Sequence, residues 1–331
     1  MAVRRRKQRR GRSYAWRYRG RIVACVFVEV LIICALVIMV GWNKGMKEWF
    51  EQFEQPVLKA VDISGINSPN AILMQARGGK VLGEINGDEK IYPASMTKIM
   101  TVILGIENFD DLDEKITLTD EMFAGLYEQD ATQAGFQPGE EVRVIDLLYG
   151  AMLPSGAECC IALADTISGS EADFAELMNK KAAKLGMDNT HFCDSTGLHN
   201  PDHYSTVEDI AVLMKYCIKN DTFREIIETA RHSTGVTNIH PDGITYYSTM
   251  FKNLSDPTVT GGKILGGKTG YTSEAGHCLA SFAEIEGREY IFVSAGASGA
   301  DGNTIPHIQD AVNIYNRVGT AIEAKMNDGK E

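Results

Sequence analysis

The sequence predicts an α+β body, one antiparallel sheet flanked by helices with a mostly helical lobe inserted, preceded by one transmembrane helix. Three observations carry that prediction. After residue 66, strand patterns lie near both ends of the chain and helical periodicity fills the middle; before it, a 19-residue apolar run follows a basic arm. Strands contributed by both ends can share one sheet if the helical middle packs on it as a separate layer or lobe.

Taken in order, residues 1–21 form the arm. They hold ten of the 33 Lys/Arg and no acidic residue, which leaves 23 basic against 44 acidic side chains in the rest of the 331 residues. An acidic body excludes a nucleic-acid-binding globule, whose docking face should be basic. The hydrophobic share of 44% and charged share of 23% exclude bulk disorder.

Residues 22–40 are apolar except for Glu29, long enough to cross the hydrocarbon core, and flanked by Tyr14, Trp16, Tyr18, Trp42 and Trp49. The basic arm keeps the N-terminus cytoplasmic, so the body lies outside. The exit Ile38-Met39-Val40-Gly41-Trp42-Asn43 lacks the small residues of a cleavage site, which favours an uncleaved anchor over a signal peptide. Residues 41–66 read as a juxtamembrane stalk, with Met46, Trp49, Phe50, Phe53 and Val57 at helical spacing. Residues 67–325 form the body.

In the body, residues 71–76 and 81–84 read as a hairpin around Arg77-Gly78-Gly79-Lys80. Residues 95–108 read as a helix with an apolar face of Ile99, Val102, Ile103 and Ile106. Helical periodicity runs from about 142 to 220, in segments near 144–148, 160–167, 171–185 and 207–218. Residues 264–296 return to strands, notably 278–283 and 290–294 around the turn Glu286-Gly287-Arg288, and a last helix covers roughly 305–324. Cys25 and Cys34 fall in the apolar run. Cys159, Cys160, Cys193, Cys217 and Cys278 are odd in number and form no disulfide framework, so they read as buried thiols.

Three short segments carry chemistry. In Pro93-Ala94-Ser95-Met96-Thr97-Lys98, Ser95 and Lys98 share one face of a helix start. A serine hydroxyl becomes nucleophilic when a neighbouring base takes its proton, and a lysine serves if burial or nearby positive charge lowers its pKa. Alone, this spacing also fits a capping serine beside an exposed lysine. Pro154-Ser155-Gly156-Ala157 lies between two helices. Gly266-Gly267-Lys268-Thr269-Gly270-Tyr271-Thr272 lies on a strand, where glycines admit close approach of another backbone or a ligand.

Together, in this order, with 60 residues from Ser95 to Ser155 and 113 from Ser155 to Lys268, the three segments match the set found in penicillin-binding proteins and serine β-lactamases. The chain closely resembles the D-alanyl-D-alanine carboxypeptidases of peptidase family S11, the low-molecular-mass penicillin-binding proteins, from about Ser68 to Arg317. The resemblance includes Ala94-Ser95-Met96-Thr97-Lys98-Ile99-Met100-Thr101, Thr190-His191-Phe192, Thr196-Gly197-Leu198, His203-Tyr204-Ser205-Thr206 and Lys268-Thr269-Gly270-Tyr271-Thr272-Ser273-Glu274-Ala275-Gly276.

The resemblance implies a penicillin-binding transpeptidase or serine β-lactamase-like fold and a serine D,D-carboxypeptidase that trims the terminal D-Ala from peptidoglycan stem peptides, without a cofactor or metal. Ser95 would be the acylated nucleophile, Lys98 the proton acceptor and Ser155 the relay to the leaving amine. Lys268 would hold positive potential over Ser155, and Thr269 would bind the substrate carboxylate. The backbone N–H groups of Ser95 and Tyr271, the latter following Gly270, would form the oxyanion hole. β-Lactams would trap Ser95. The setting is a bacterial cell membrane, single-pass, with the body outside.

Two positions depart from the family pattern. Ala157 stands where the second motif usually has Asn, and Glu158 follows it as a potential substitute; this is the feature that keeps a weakly active or non-catalytic wall-binding protein in view. No Arg occupies 296–304, which leaves the carboxylate to Lys268 and Thr269. A β-lactamase would need a carboxylate placed for deacylation. Glu176-Leu177-Met178-Asn179 comes near its signature but is one residue short and sits in a helical pattern. His191, Cys193, His199 and His203 crowd together without a zinc-like spacing.

Overall fold

The computed structural model describes residues 58–299 and 305–328. The chain divides into two units, residues 1–56 and 57–331. The expected basic arm, the 22–40 span and the stalk up to residue 57 lie outside the described residues. Among the described residues no helix is long and apolar enough to cross a membrane.

The order of elements begins with β1 (Asn70–Gln75) and β2 (Val81–Ile85), then a 3₁₀ turn (Ala94–Thr97) leading into α1 (Lys98–Asn108). A small pair, β3 (Lys115–Thr117) and β4 (Glu141–Arg143), precedes α2 (Val144–Met152), α3 (Ala157–Ser168), α4 (Glu171–Leu185), α5 (Val207–Cys217) and α6 (Asp221–Glu228). A second small pair, β5 (Arg231–Ser233) and β6 (Thr245–Tyr247), leads to α7 (Thr249–Asn253) and β7 (Thr258–Val259). The long strands β8 (Gly262–Thr272), β9 (Gly276–Ile285) and β10 (Arg288–Ala297) follow, and α8 (Pro306–Asp328) ends the described chain.

The main sheet is antiparallel with strand order β2-β1-β10-β9-β8-β7, so strands from both chain ends do join it. β1 pairs with β10 in the register Asn70↔Ala295 to Gln75↔Tyr290. Side chains alternate between two cores, as the two-residue period of a strand requires. Ile72, Met74, Ile291 and Val293 face the helical side built on α1–α6. Leu73, Tyr290 and Phe292 face the opposite core with Ile314, Tyr315 and Ile322 of α8. Because both faces are covered, the central strands read as near-continuous apolar runs.

The packed body reaches further toward the N-terminus than residue 67. Leu58, Val61 and Ile63 are buried in the α8-side core, and the Val61 N–H donates to the Leu82 carbonyl at 2.8 Å. The two ends are then tied together. Buried Asp310 of α8 accepts from the backbone N–H groups of Asn67 and Ser68 (both 2.9 Å), the Asn67 amide (2.8 Å) and the Ser68 hydroxyl (2.7 Å).

The expected hairpin, long strands and last helix occur, and the helices expected near 144–148, 160–167, 171–185 and 207–218 are found at 144–152, 157–168, 171–185 and 207–217. The expected 95–108 helix starts instead as a 3₁₀ turn, in which Ala94 holds a positive φ of 46°. The two small strand pairs, α6, α7 and β7 were not expected. Those of two to five residues carry too little periodicity to read.

Candidate active site

The Pro93 turn sets the first motif. Ser95 ends up one turn before Lys98, and the Lys98 Nζ donates to the Ser95 Oγ at 3.0 Å. Lys98 is almost fully buried, and its Nζ also donates to the Thr196 carbonyl at 2.7 Å. Burial pushes its pKa below the usual lysine range, against the pull of the Asp194 and Glu158 carboxylates.

The Thr196 carbonyl is itself held in place. Asp194 Oδ1 accepts from the Thr196 N–H, the Thr196 hydroxyl and the Gly197 N–H, each at 2.7 Å. Its Oδ2 lies 3.1 Å from His203 Nδ1, and His203 Nε2 lies 2.8 Å from the Thr97 hydroxyl. Burial opposes the Asp194 charge, but His203 and the donors of the turn outweigh it and hold the carboxyl at about 2. Gly197 has φ +81°, and a Cβ there would fall 1.9 Å from the Ala94 carbonyl oxygen. Only glycine lets this turn lie against the turn that carries the serine.

The second motif lies between α2 and α3. Ser155 holds a left-handed φ of 74°, an uncommon conformation for a non-glycine residue. The third motif on β8 meets it: the Lys268 Nζ donates to the Ser155 Oγ at 2.9 Å and to the Thr269 carbonyl at 2.8 Å. Lys268 is fully buried. Burial first, and the neighbouring Lys98 second, push its pKa well below that of an ordinary lysine. The Thr269 and Thr249 hydroxyls are 2.7 Å apart. A Cβ on Gly270 would sit 2.9 Å from the Ser95 backbone nitrogen, so glycine is what allows β8 to pass beside the serine. Tyr271 follows it and is largely exposed.

Ser95, Ser155, Thr269, Gly270 and Tyr271 line one cleft of about 460 Å³, and both lysines end on its serine hydroxyls. All seven residues expected from the three motifs therefore come together. Asp130 and Thr132 also line the cleft, as do Thr249, Asn253, His277 and His307.

Glu158 takes a different part from the one expected of an Asn substitute. It is fully buried, and its Oε1 accepts from the N–H groups of Ala134 (2.6 Å) and Gly135 (2.9 Å), which fastens the loop carrying Thr132. Its Oε2 has no hydrogen-bond partner among the described residues, and burial raises its pKa. Glu176 pairs with Lys180 on the exposed face of α4, and the Asn179 side chain bridges both backbone groups of Phe192, so this stretch is helix packing. His191 contacts the Asp202 carbonyl, and His199 packs edge-on against Tyr92. Among the described residues no cluster of His, Cys, Asp and Glu could hold a metal ion. Cys159, Cys160, Cys217 and Cys278 are buried free thiols, and Cys193 is a half-buried one.

Sequence reasoning missed Asp194, His277 and His307. The one available signal for Asp194 was its place beside the Thr196-Gly197-Leu198 segment; nothing local marked the two histidines.

Comparison with known proteins agrees with this geometry. Residues 57–299 match the family model Peptidase S11, described as D-alanyl-D-alanine carboxypeptidase. The D-alanyl-D-alanine carboxypeptidase DacF of Bacillus subtilis is 36% identical over 231 residues, covering 69% of this chain and 57% of the relative. DacC of Escherichia coli is 34% identical over 264 residues, covering 72% and 59%. The chain thus spans under three fifths of the length of these two relatives. The crystal structure of the Streptomyces K15 DD-transpeptidase superimposes with a TM-score of 0.69 at 29% identity, covering 79% of this chain and all of that one.

Proposed function

We infer the function from one premise: the chain belongs to Peptidase S11, the D-alanyl-D-alanine carboxypeptidase family, and has the penicillin-binding DD-peptidase fold. On that premise the protein is a serine D,D-carboxypeptidase that removes the terminal D-Ala from peptidoglycan stem peptides through an acyl-enzyme. The observation that carries this reading is the meeting of two serine–lysine pairs at one cleft, Ser95–Lys98 at 3.0 Å and Ser155–Lys268 at 2.9 Å.

The Ser95 Oγ attacks the carbonyl carbon of the penultimate D-Ala. Its proton passes to Lys98, which can accept it because burial favours the neutral amine. Backbone N–H groups at Ser95 and Tyr271 receive the developing oxyanion. When the C–N bond breaks, Ser155 gives its proton to the departing D-Ala amine and recovers the one held by Lys98, so both return to their starting forms. In the empty cleft burial, and then Lys98, lower the Lys268 pKa. A substrate carboxylate near Thr269 supplies countercharge that favours the charged form of Lys268 beside Ser155. Water then cleaves the ester, freeing Ser95 and a stem peptide shorter by one D-Ala. A β-lactam acylates Ser95 in the same way.

The 22–40 run behind its basic arm supports a single-pass anchor in a bacterial cell membrane, with the N-terminus cytoplasmic and the catalytic body outside. Membrane fractionation of the full chain against a variant with residues 22–40 deleted tests it; equal solubility of the two rejects the anchor.

The activity is tested by fluorescent-penicillin labelling of the full chain, wild type against Ser95→Ala, with D-alanine release measured in parallel. Labelling and release that both vanish in Ser95→Ala support the reading. Absence of both in the wild type rejects it in favour of a wall-binding protein, and rapid penicillin turnover favours a β-lactamase-like hydrolase.

A further inference from the structure

The cleft continues past the serines into a row of rings. The Tyr271 and His277 rings lie 4.6 Å apart, and the His277 and His307 rings stack at 5.0 Å with their planes 6° from parallel. His277 sits on β9 directly opposite Tyr271 of β8, and His307 lies in the first turn of α8. Among the described residues lining the cleft these two are the only basic ones, since the lysines end beneath the serine hydroxyls.

His307 is 3% exposed and its Nδ1 is buried without a hydrogen-bond partner among the described residues. Buried polar atoms are nearly always paired, and this one belongs to a side chain that lines the cleft, where a ligand can supply the missing partner. Neither histidine makes an ion pair among the described residues. A substrate with a free carboxylate must leave water for this cleft, and a buried anion needs a cation or strong donor beside it.

Resting on the carboxypeptidase reading, we propose that His307, backed by His277, is a specificity-determining residue that binds the terminal carboxylate of the peptide and takes up a proton as that carboxylate arrives. In the empty cleft burial, together with His277, holds His307 down at about 4, against the pull of Asp310. Burial likewise lowers His277. The other titratable groups around the pair are Tyr271 from β8 and Asp130 on the cleft wall, while α7 offers only neutral Thr249 and Asn253. An anion beside the ring favours the imidazolium and raises its pKa in the complex. Affinity therefore climbs as pH falls from the pKa of the complex toward that of the free protein.

The test uses the full chain carrying Ser95→Ala, so that substrate binds without turnover. A peptide ending in D-Ala-D-Ala is titrated by calorimetry near about pH 6 and about pH 8, in buffers of different ionisation heat, to count the protons taken up. The expected result is affinity about tenfold higher at the lower pH, with net proton uptake. His307→Gln flattens the pH dependence and removes most of the uptake, and the C-terminal amide of the peptide binds weakly with no pH dependence. His277→Gln, at a half-buried position, provides the same comparison if His307→Gln does not fold; it halves or abolishes the pH effect. Unchanged proton uptake in both variants, or an amide-capped peptide with the same pH dependence as the acid, overturns the proposal. Labelling of Ser95 in the otherwise wild-type protein separates the two levels: a labelled protein with pH-independent binding sinks only the histidine inference, whereas an unlabelled one sinks the enzymatic reading beneath it.

Discussion

The two lysines of the cleft are placed alike and supported differently. Each donates to a serine hydroxyl and to a backbone carbonyl. Burial is the first cause that lowers both, but around Lys98 the carboxylates of Asp194 and Glu158 oppose it, whereas at Lys268 the repulsion of Lys98 adds to it. The same side chain in the same pocket therefore gains two dispositions. The carboxylates near Lys98 offset part of its burial, which suits a group that accepts a proton and gives it back. An anion entering the cleft would favour the charged form of Lys268. The lesson is that a buried lysine's role follows from its counter-charges more than from its hydroxyl partner.

The largest break in this comparison comes from Lys98→Ala, which removes the proton acceptor. Its acylation rate by penicillin, followed by stopped-flow, should fall about 10³-fold. A drop no larger than that of Ser155→Ala would erase the distinction between the two pairs. Ser155→Ala should slow D-alanine release by about 10²-fold, because the Lys268 amine remains near enough to assist the leaving group.

A finer test uses pH. The acylation rate should rise with pH as Lys98 loses its proton, and level off below the ordinary lysine pKa of 10.5 because burial lowers it. Asp194→Asn takes away a carboxylate that holds Lys98 charged, so the midpoint of the profile should move to lower pH. A midpoint that moves up would show that Asp194 acts on Lys98 in another way.

The smallest effect expected is on stability. The folded-state pKa of Glu158 is raised by burial, so its contribution is fullest below its unfolded pKa and is lost as pH rises through the folded one. Glu158→Gln keeps the acceptor for Ala134 and Gly135 and removes the buried charge. Its Tm should exceed wild type by about 2–4 °C at neutral pH, and the gap should close under acid, as thermal melts can show.

How much of this was legible depended on the distance over which information had to travel. Ser95 and Lys98 are three residues apart, and their contact follows from helix geometry. The hairpin at Gly78-Gly79 and the long strands carry their own turn signals and apolar runs. The joining of Ser155 to Lys268 was visible through the resemblance, not through spacing, since 113 residues separate them. Asp194, His203 and Thr97 form a chain in which Thr97 and His203 are 106 residues apart, and no local pattern marks it. His277 and His307 meet because β9 is in register with β8 and the first turn of α8 returns over that end of the sheet. The outcome at Ala157 and Glu158 was equally hidden. Adjacency in sequence made Glu158 look like a substitute for the missing amide, but as part of α3 its carboxylate reaches the 134–135 backbone.

The pairing of β1 with β10 also has a consequence for biogenesis. During synthesis β1 emerges more than two hundred residues ahead of its neighbour, and Asn67 and Ser68 must wait still longer for Asp310. Until the last strand and helix arrive, the early hairpin offers the strand edge that β10 will occupy, exposed to misassociation. A nascent chain stalled before residue 288 cannot complete the central sheet, so maturation of this chain must tolerate, or be chaperoned through, a long open interval that ends almost all at once.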